Sequence, residues 1–127
     1  MKKISLIFLF LFSVVFITKA QTNITKQKNK MEYIEIAKFK LKEGFTDKQF
    51  VDAEMNVRNG LIKTQKGFIS RELSIDKDNF WLMDMRFDTK ENMDAWFEAL
   101  KQDPTMKVLG SMIDFPTVRM EFFTKQI

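Results

Sequence analysis

The chain has 127 residues and a formal net charge of +4, which suits one domain with a single hydrophobic core. It contains no cysteine and no histidine. The composition therefore excludes disulfides, Cys/His zinc sites, a histidine base and a histidine-ligated heme.

The first twenty residues have the layout of a secretory signal peptide. Lys2 and Lys3 form a positive start, an apolar run extends from Ile4 to Ile17, and Ala20 supplies the small residue before a cleavage site. The apolar run is shorter than a typical membrane-spanning helix, which favours a cleaved signal over an uncleaved anchor. We therefore predict an exported protein, periplasmic or secreted, with cleavage after Ala20 and no membrane attachment of the mature chain.

Residues 21–30 form a polar segment without apolar periodicity, and we expect a disordered tail there. Loss of the signal peptide removes three lysines and no acidic residue, so 18 basic residues face 17 acidic ones in the mature chain. A basic surface of the kind that binds nucleic acid is therefore not expected. The remaining residues, 31–127, are predicted to form one domain.

The predicted domain begins with a strand and a helix. Residues 31–41 alternate between apolar and polar side chains, which predicts the first strand. Thr46 and Gln49 form a capping-box pattern for a helix that is predicted to continue to Lys63. Glu54 and Arg58 lie one turn apart inside the apolar arc of this helix. We interpret them either as an ion pair at the edge of the buried face or as polar groups in the floor of a pocket.

A β-hairpin is predicted next, with strands at residues 68–75 and 80–87 and a polar turn between them. If pairing starts directly outside a four-residue turn, Arg71 lies opposite Asp84 in the neighbouring strand. Opposite charges in that position stabilise a sheet by up to about 1 kcal/mol. This register is the most specific structural prediction that the hairpin offers.

The same register makes both faces of the hairpin apolar. Ile69, Leu73 and Leu82 lie on one face, whereas Met83 and Met85 lie on the other. A half-exposed antiparallel sheet normally has one polar face, so each side of this hairpin needs a cover. We predict that helices cover one side and that a second copy of the chain covers the other.

The rest of the chain is predicted to add two helices and a strand. Asp88 or Thr89 caps the second helix, and Asp103 with Pro104 begins a short third helix. Residues 115–124 form the last strand. The predicted order is the βαββαβ arrangement of a ferredoxin-like α+β fold, with a four-stranded antiparallel sheet and helices on one face.

Three segments of the sequence resemble a known family. FKLKEGFTDKQF, QKGFISRELSID and MRFDTKENMDAWFEAL are similar to the antibiotic-biosynthesis-monooxygenase-like domains of the dimeric α+β barrel superfamily. The resemblance covers residues 32–123 and implies a homodimer that closes a barrel through its sheets. Members of the superfamily include cofactor-independent oxygenases of aromatic substrates, heme-degrading monooxygenases and proteins without a known role. The resemblance therefore implies a small hydrophobic or aromatic ligand and, outside the heme-degrading branch, no cofactor.

The heme-degrading branch can be compared residue by residue. The resemblance to that branch implies an asparagine on the first strand, a tryptophan in the second helix and a histidine ligand shortly afterwards. Ala37, Trp96 and Met106 occupy those positions here. Only the tryptophan is retained, which argues against heme degradation. We interpret Trp96 as a core residue.

The sequence also predicts a cavity between the sheet and the helices. Its predicted apolar walls are Phe50, Trp81, Met83, Phe87, Trp96 and Phe97. Its polar candidates are Glu35, Glu54, Arg58, Arg71, Glu72 and Arg86. Apolar walls with a few converging polar groups are typical of a small-molecule pocket, but also of a filled core. Thioethers such as that of Met83 suit Cu(I), yet methionines beside aromatic residues more often fill a core, and no metal site is predicted.

Two functions are compatible with these patterns. In the first, an exported dimeric barrel protein binds or transforms a small hydrophobic molecule, as a cofactor-independent monooxygenase if it is an enzyme. Glu54, Arg58 and Arg71 are then the candidates for proton removal and anion stabilisation. In the second, the protein is a non-catalytic binding or interaction module whose charged pairs are structural. Because no nucleophile motif is present, the sequence weakly favours a protein that is not an enzyme and leaves the question open.

Overall fold

A computed structural model describes residues 30–126 of the chain. The predicted signal peptide, residues 1–20, and the predicted tail up to residue 29 lie outside the described residues. Within residues 30–126, none of the helices has the length and apolar character needed to cross a membrane.

The described chain forms four strands, three α-helices and one short 3-10 helix. In chain order these are β1 (Tyr33–Leu41), α1 (Asp47–Asn59), the 3-10 helix (Ile62–Thr64), β2 (Phe68–Ile75), β3 (Trp81–Phe87), α2 (Lys90–Leu100), α3 (Pro104–Ser111) and β4 (Ile113–Thr124). The sheet is antiparallel throughout and has the strand order β2-β3-β1-β4. This is the split arrangement of a ferredoxin-like fold, and the predicted α+β class is confirmed.

All the helices lie on one face of the sheet. Phe50 of α1 packs against Phe39 of β1, with ring centroids 5.6 Å apart. Trp96 of α2 packs near Phe87 of β3, with centroids 6.4 Å apart. The hydrophobic core lies between these layers and contains the side chains of Ala37, Phe39, Phe50, Ala53, Val57, Ile62, Trp81, Met83, Met85, Phe87, Met93, Trp96 and Leu109.

The helix starts follow local capping chemistry. Thr46 accepts a hydrogen bond from the backbone N–H of Gln49 at 3.2 Å, and its own N–H donates to the Gln49 side chain at 2.9 Å, so the predicted capping box is confirmed. Thr89 caps α2, and Asp103 caps α3 ahead of its first-turn proline. Each such cap stabilises its helix by about 1 kcal/mol.

The predicted end of α1 is wrong. The helix ends at Asn59, four residues before the predicted Lys63, because Gly60 leaves helical dihedral angles. The chain then continues into the 3-10 helix. The predicted strand bounds agree with the structure to within two residues.

The predicted register of the hairpin is also wrong, by one residue. Arg71 lies opposite Met85 rather than opposite Asp84, and Asp84 instead faces Glu72. Leu73 correspondingly lies opposite Met83 rather than Leu82. A shift of one residue moves every side chain of a strand to the other face.

The turn explains the register. The carboxylate of Asp76 accepts hydrogen bonds from the backbone N–H groups of Asp78 at 2.9 Å and Phe80 at 3.0 Å. The N–H of Asp76 donates to the carbonyl of Phe80 at 2.9 Å, and Asn79 adopts a left-handed φ of 61°. Asp76 and Phe80 therefore close a three-residue loop with a left-handed last residue, a common hairpin connection. The sequence predicted a turn of four residues, and the loss of one residue from the loop shifts the register by one.

The corrected register gives the hairpin one apolar and one polar face. Arg71, Leu73, Trp81, Met83 and Met85 lie on the side of the helices. We call the opposite side of the sheet the open face; its residues are Ile34, Ile36, Lys38, Ser70, Glu72, Ser74, Leu82, Asp84, Arg86, Arg119, Glu121 and Phe123. The expectation that both faces of the hairpin are apolar is therefore wrong.

Candidate functional site

A cavity of about 530 Å³ lies between the helix-facing side of the sheet and helices α2 and α3. This volume falls in the range of small-molecule sites, about 300–1,000 Å³. Its apolar walls are Ala37, Phe39, Phe50, Met83, Trp96, Phe97, Leu100, Met106, Leu109, Ile113, Phe115, Val118 and Met120. The polar lining consists mainly of Glu35, Arg71, Lys42, Lys107 and Ser111.

Four of the six predicted wall residues line the cavity, namely Phe50, Met83, Trp96 and Phe97. The other two lie behind the walls. Trp81 stacks against Phe50 at a centroid distance of 4.9 Å, and Phe87 is fully buried beside Trp96. These two residues support the cavity without facing it.

The three predicted catalytic residues form one charged cluster between β2 and α1. Arg71 Nε lies 2.6 Å from Glu54 Oε1, and Arg71 Nη2 lies 3.0 Å from Glu54 Oε2. Arg58 Nε adds a third contact to Glu54 Oε1, also at 3.0 Å. Both oxygens of Glu54 are thereby occupied by cations. Only Arg71 of the three lines the cavity.

Arg71 is a fixed, buried cation at the cavity wall. Its Nη1 approaches the sulfur atoms of Met83 and Met85 at 3.5 and 3.3 Å. Its guanidinium lies 5.8 Å from the centroid of the Trp96 ring, within cation–π range. The predicted partner of Arg71, Asp84, instead pairs with Arg86 at 2.9 Å on the open face.

Of the six polar residues predicted for the cavity, Glu35 and Arg71 line it. Glu54 and Arg58 lie in the charged cluster, and Glu72 and Arg86 lie on the open face.

Glu35 is the acidic residue of the cavity lining. Its side chain is only 3 % exposed, and burial raises the pKa of its carboxyl to about 7, although the positive charge of Arg71 partly offsets this effect. Among residues 30–126, its Oε2 is the one buried side-chain oxygen or nitrogen without a hydrogen-bond partner. Buried polar atoms are almost always paired, so this oxygen stands out as a contact point for a ligand.

The sequence pattern of β1 assigns Glu35 to one face of the strand but does not show that this face is the buried one. On β1, Glu35 alternates with Ala37 and Phe39, whose side chains are buried beneath the helices, while Ile34 and Ile36 point to the open face. The strand period of two assigns these residues to opposite faces. Hydrophobicity favours burial of Ile34 and Ile36, so the sequence does not single out Glu35 among the six polar candidates.

The buried charged groups of the cavity are one carboxyl group and one guanidinium, and two lysine ammonium groups, of Lys42 and Lys107, also line it. A carboxyl whose pKa lies near neutrality can accept and return a proton under ordinary conditions, and a buried guanidinium stabilises a developing anion. Within the described part of the chain, there is no group of three or more histidine, cysteine or acidic side chains that could hold a metal ion.

No family model and no curated protein matches the chain. Solved structures do. SnoaB, a cofactor-independent oxygenase from Streptomyces nogalater, has a TM-score of 0.59 at 17 % sequence identity, over 76 % of this chain and 94 % of that one. A Bordetella bronchiseptica protein assigned as an antibiotic biosynthesis monooxygenase has a TM-score of 0.62 at 15 % identity, over 76 % and 98 % of the two chains.

A third similar structure contains a ligand. The monooxygenase encoded by ActVA-Orf6 of Streptomyces coelicolor, in complex with nanaomycin D, has a TM-score of 0.58 at 12 % identity, over 79 % of this chain and 92 % of that one. At such identities, structural likeness establishes a fold and leaves the activity to the site. The chain has the fold of the antibiotic biosynthesis monooxygenase domains.

Proposed function

We propose that this protein binds a small hydrophobic, aromatic molecule in the cavity between the sheet and helices α2 and α3. The observation that carries the proposal is the combination of apolar walls with two buried charged groups, Glu35 and Arg71. Specific ligand sites typically combine a hydrophobic lining with a few such polar groups. The nanaomycin D complex of a protein with the same fold adds fold-level support.

Tryptophan fluorescence offers a direct test, because Trp96 lines the cavity. We expect naphthalene-sized aromatic compounds to change the emission of Trp96 in a saturable way. Gly110 also lines the cavity, and a Cβ at that position meets only the ring of Phe115, at 3.9 Å. The Gly110→Leu variant should therefore fill the cavity and weaken binding without distorting the backbone.

The matched control is Ala95→Leu, which adds similar bulk on the exposed side of α2. It should bind like the original chain. Equal binding by the Gly110→Leu variant and the original chain would place the ligand elsewhere and contradict the proposal.

A second candidate function is oxygenation of the bound molecule without a cofactor. It is favoured by Glu35, whose pKa near 7 suits proton removal, and by the fold shared with the cofactor-independent oxygenase SnoaB. The substrate would lose a proton, and the resulting carbanion would reduce molecular oxygen and form a C–O bond with it. The hydroperoxide would then lose water, which leaves a carbonyl group on the product. Oxygen uptake with 1-naphthol above the protein-free rate, and its loss in Glu35→Gln, would support catalysis. Binding without oxygen uptake would support the non-catalytic module.

We also propose a homodimer that forms through the open face. Ile34 and Ile36 are half-buried at its centre, and Leu82 and Phe123 beside them are 40 % and 50 % exposed. These four side chains form an apolar patch that a second copy of the chain would cover. The hairpin side of the open face is otherwise polar and needs no cover of its own. The Ile36→Lys variant should dissociate the dimer in light scattering, whereas Val51→Lys on α1 should not. A monomeric original chain would contradict the proposal.

Export is the last proposal, and the sequence pattern of residues 1–20 is its support. We expect the mature protein to begin at Gln21 when the full chain is expressed in a Gram-negative host. Replacement of Ala20 by leucine should block cleavage, because signal peptidases require a small residue there. A mature N-terminus before Gln21 in the original chain would contradict this proposal.

A further inference from the structure

The Oε2 atom of Glu35 needs a hydrogen-bond donor that residues 30–126 do not provide. Arg71, the cation whose charge acts on Glu35, makes its own contacts with other residues. Its Nε and Nη2 donate to Glu54, and its Nη1 faces the sulfur atoms of Met83 and Met85. A molecule that occupies the cavity can supply this donor.

The charges around Glu35 restrict what that donor can be. Arg71 approaches from β2, and its charge is balanced by Glu54 of α1. Lys107 of α3 and Lys42, from the loop after β1, line the same cavity. Helix α2 contributes Trp96 and Phe97, which carry no charge.

Three cations and one acid thus face the cavity, which disfavours a positively charged ligand. The hydrogen-bond donor to Glu35 is therefore expected to be a neutral group. The apolar walls favour a donor that is attached to an aromatic ring. A hydroxyl group satisfies both conditions. It also leaves any negative charge that develops on its oxygen close to Arg71.

We propose that Glu35 selects the ligand of this cavity, and that the ligand is an aromatic compound with an uncharged hydroxyl group that donates a hydrogen bond to Oε2 of Glu35. This inference rests on the proposed binding function and adds the chemical class of the ligand. The proposal requires that the hydroxyl group, and not the ring alone, contributes strongly to affinity.

The ionisation of Glu35 gives this selectivity a defined pH dependence. Burial raises the pKa of Glu35 to about 7, so the carboxylate form, which can only accept, dominates above that pH. Phenolic hydroxyls titrate near pH 10 and stay neutral throughout. The preference for a hydroxyl compound should therefore increase from pH 6 to pH 8.

The experiment compares 2-naphthol with 2-methoxynaphthalene, which has a similar shape but no hydroxyl donor. Isothermal titration at pH 8 with the full domain should show about tenfold to hundredfold tighter binding of 2-naphthol, as expected for a hydrogen bond to a charged acceptor. The Glu35→Leu variant should lose this preference while it still binds 2-methoxynaphthalene. Glu35→Gln, which retains an acceptor oxygen but does not titrate, should keep part of the preference and lose its pH dependence.

The control variant is Glu72→Leu, which removes an acidic side chain from the open face of the same sheet and should leave the preference unchanged. Equal affinity of the original chain for the two probes would overturn the role of Glu35 and leave the binding function standing. An unchanged preference in Glu35→Leu would do the same. Failure of both probes to bind would overturn the binding function and this inference together.

Discussion

The guanidinium of Arg71 and the carboxylate of Glu54 form a bidentate ion pair between β2 and α1, with N–O distances of 2.6 and 3.0 Å. Both side chains are buried. Burial of two charges costs free energy that their attraction offsets only when the geometry is good and the remaining atoms are hydrogen-bonded. Here Arg58 supplies a further contact to Glu54, and the pair holds Arg71 at the cavity wall.

The first prediction concerns the removal of one partner of this pair. Glu54→Leu leaves the guanidinium of Arg71 buried without its carboxylate, and we expect a loss of about 3–5 kcal/mol in the free energy of unfolding. The double variant Glu54→Leu/Arg71→Met should recover most of this loss, since it leaves no uncompensated charge. Urea denaturation of both variants provides the measurement.

The exposed pair Lys48–Asp52 on the same helix is the matched control. Lys48 Nζ lies 2.6 Å from Asp52 Oδ2, which equals the shorter distance of the buried pair. Removal of an exposed ion pair, however, changes the free energy of unfolding by about 1 kcal/mol or less. The prediction is wrong if Asp52→Ala costs as much as Glu54→Leu, or if the double variant is no more stable than the single one.

The second prediction concerns the pH dependence of stability through Glu35. Its pKa is about 7 in the folded chain, against an ordinary value of 4.5. Between these values the folded state binds more protons than the unfolded state, so the free energy of unfolding falls as the pH rises from 4.5 to 7. Above pH 7 Glu35 is ionised in the folded state, and the full cost of burying its carboxylate, about 3 kcal/mol, lowers the free energy of unfolding. Thermal or urea unfolding should show that Glu35→Gln gains stability over the original chain at pH 8, but not at pH 4. A constant difference across this range would contradict the raised pKa.

The third prediction tests the register of the hairpin. Glu72 lies opposite Asp84, so two like charges face each other on the open face. The Glu72→Lys variant should convert this repulsion into an attraction and stabilise the protein by up to about 1 kcal/mol. In the register expected from the sequence, residue 72 would lie opposite Met83 and no gain would follow. Ser74→Lys, opposite Leu82, is the control for an added lysine on the same strand face.

The fourth prediction concerns Gly67, at the entry to β2. It adopts a left-handed φ of +73°, and a Cβ there would collide with the side chains of Asp88 and Asn92. Gly44 has a φ of +91° but open space around it. Gly44→Ala should therefore cost about 1–2 kcal/mol for the backbone alone, and Gly67→Ala clearly more. Similar losses in the two variants, measured by urea denaturation, would show that Asp88 and Asn92 move aside.

The fold was predictable because its determinants are local. The capping box of Thr46 and Gln49, the cap at Asp103 and the alternation of the strands are each encoded within a few residues. The register was not, because it depends on how one side chain, Asp76, bonds to backbone amides two and four residues later. No composition rule specifies which of two loop closures will form.

The site was predictable in part for a related reason. Arg71 and four of the six wall residues line the cavity, since a pattern of apolar positions identifies the inner side of an element. Glu54 proved to be the partner of both Arg71 and Arg58, and neither Glu54 nor Arg58 lines the cavity. Glu35 was one of six polar candidates, and only its burial and its unpaired oxygen distinguish it from the others. Both properties depend on tertiary packing.

The ion pair of Arg71 and Glu54 has a consequence for how the chain folds. If β2 slipped by one residue against β3, Arg71 would move to the open face and Glu72 would turn toward the helices. Glu54 would then be enclosed beside a second carboxylate instead of its cation. The ion pair therefore favours the native register, because the slipped hairpin would bury Glu54 without its cation. This holds even though the pair itself contributes little to stability.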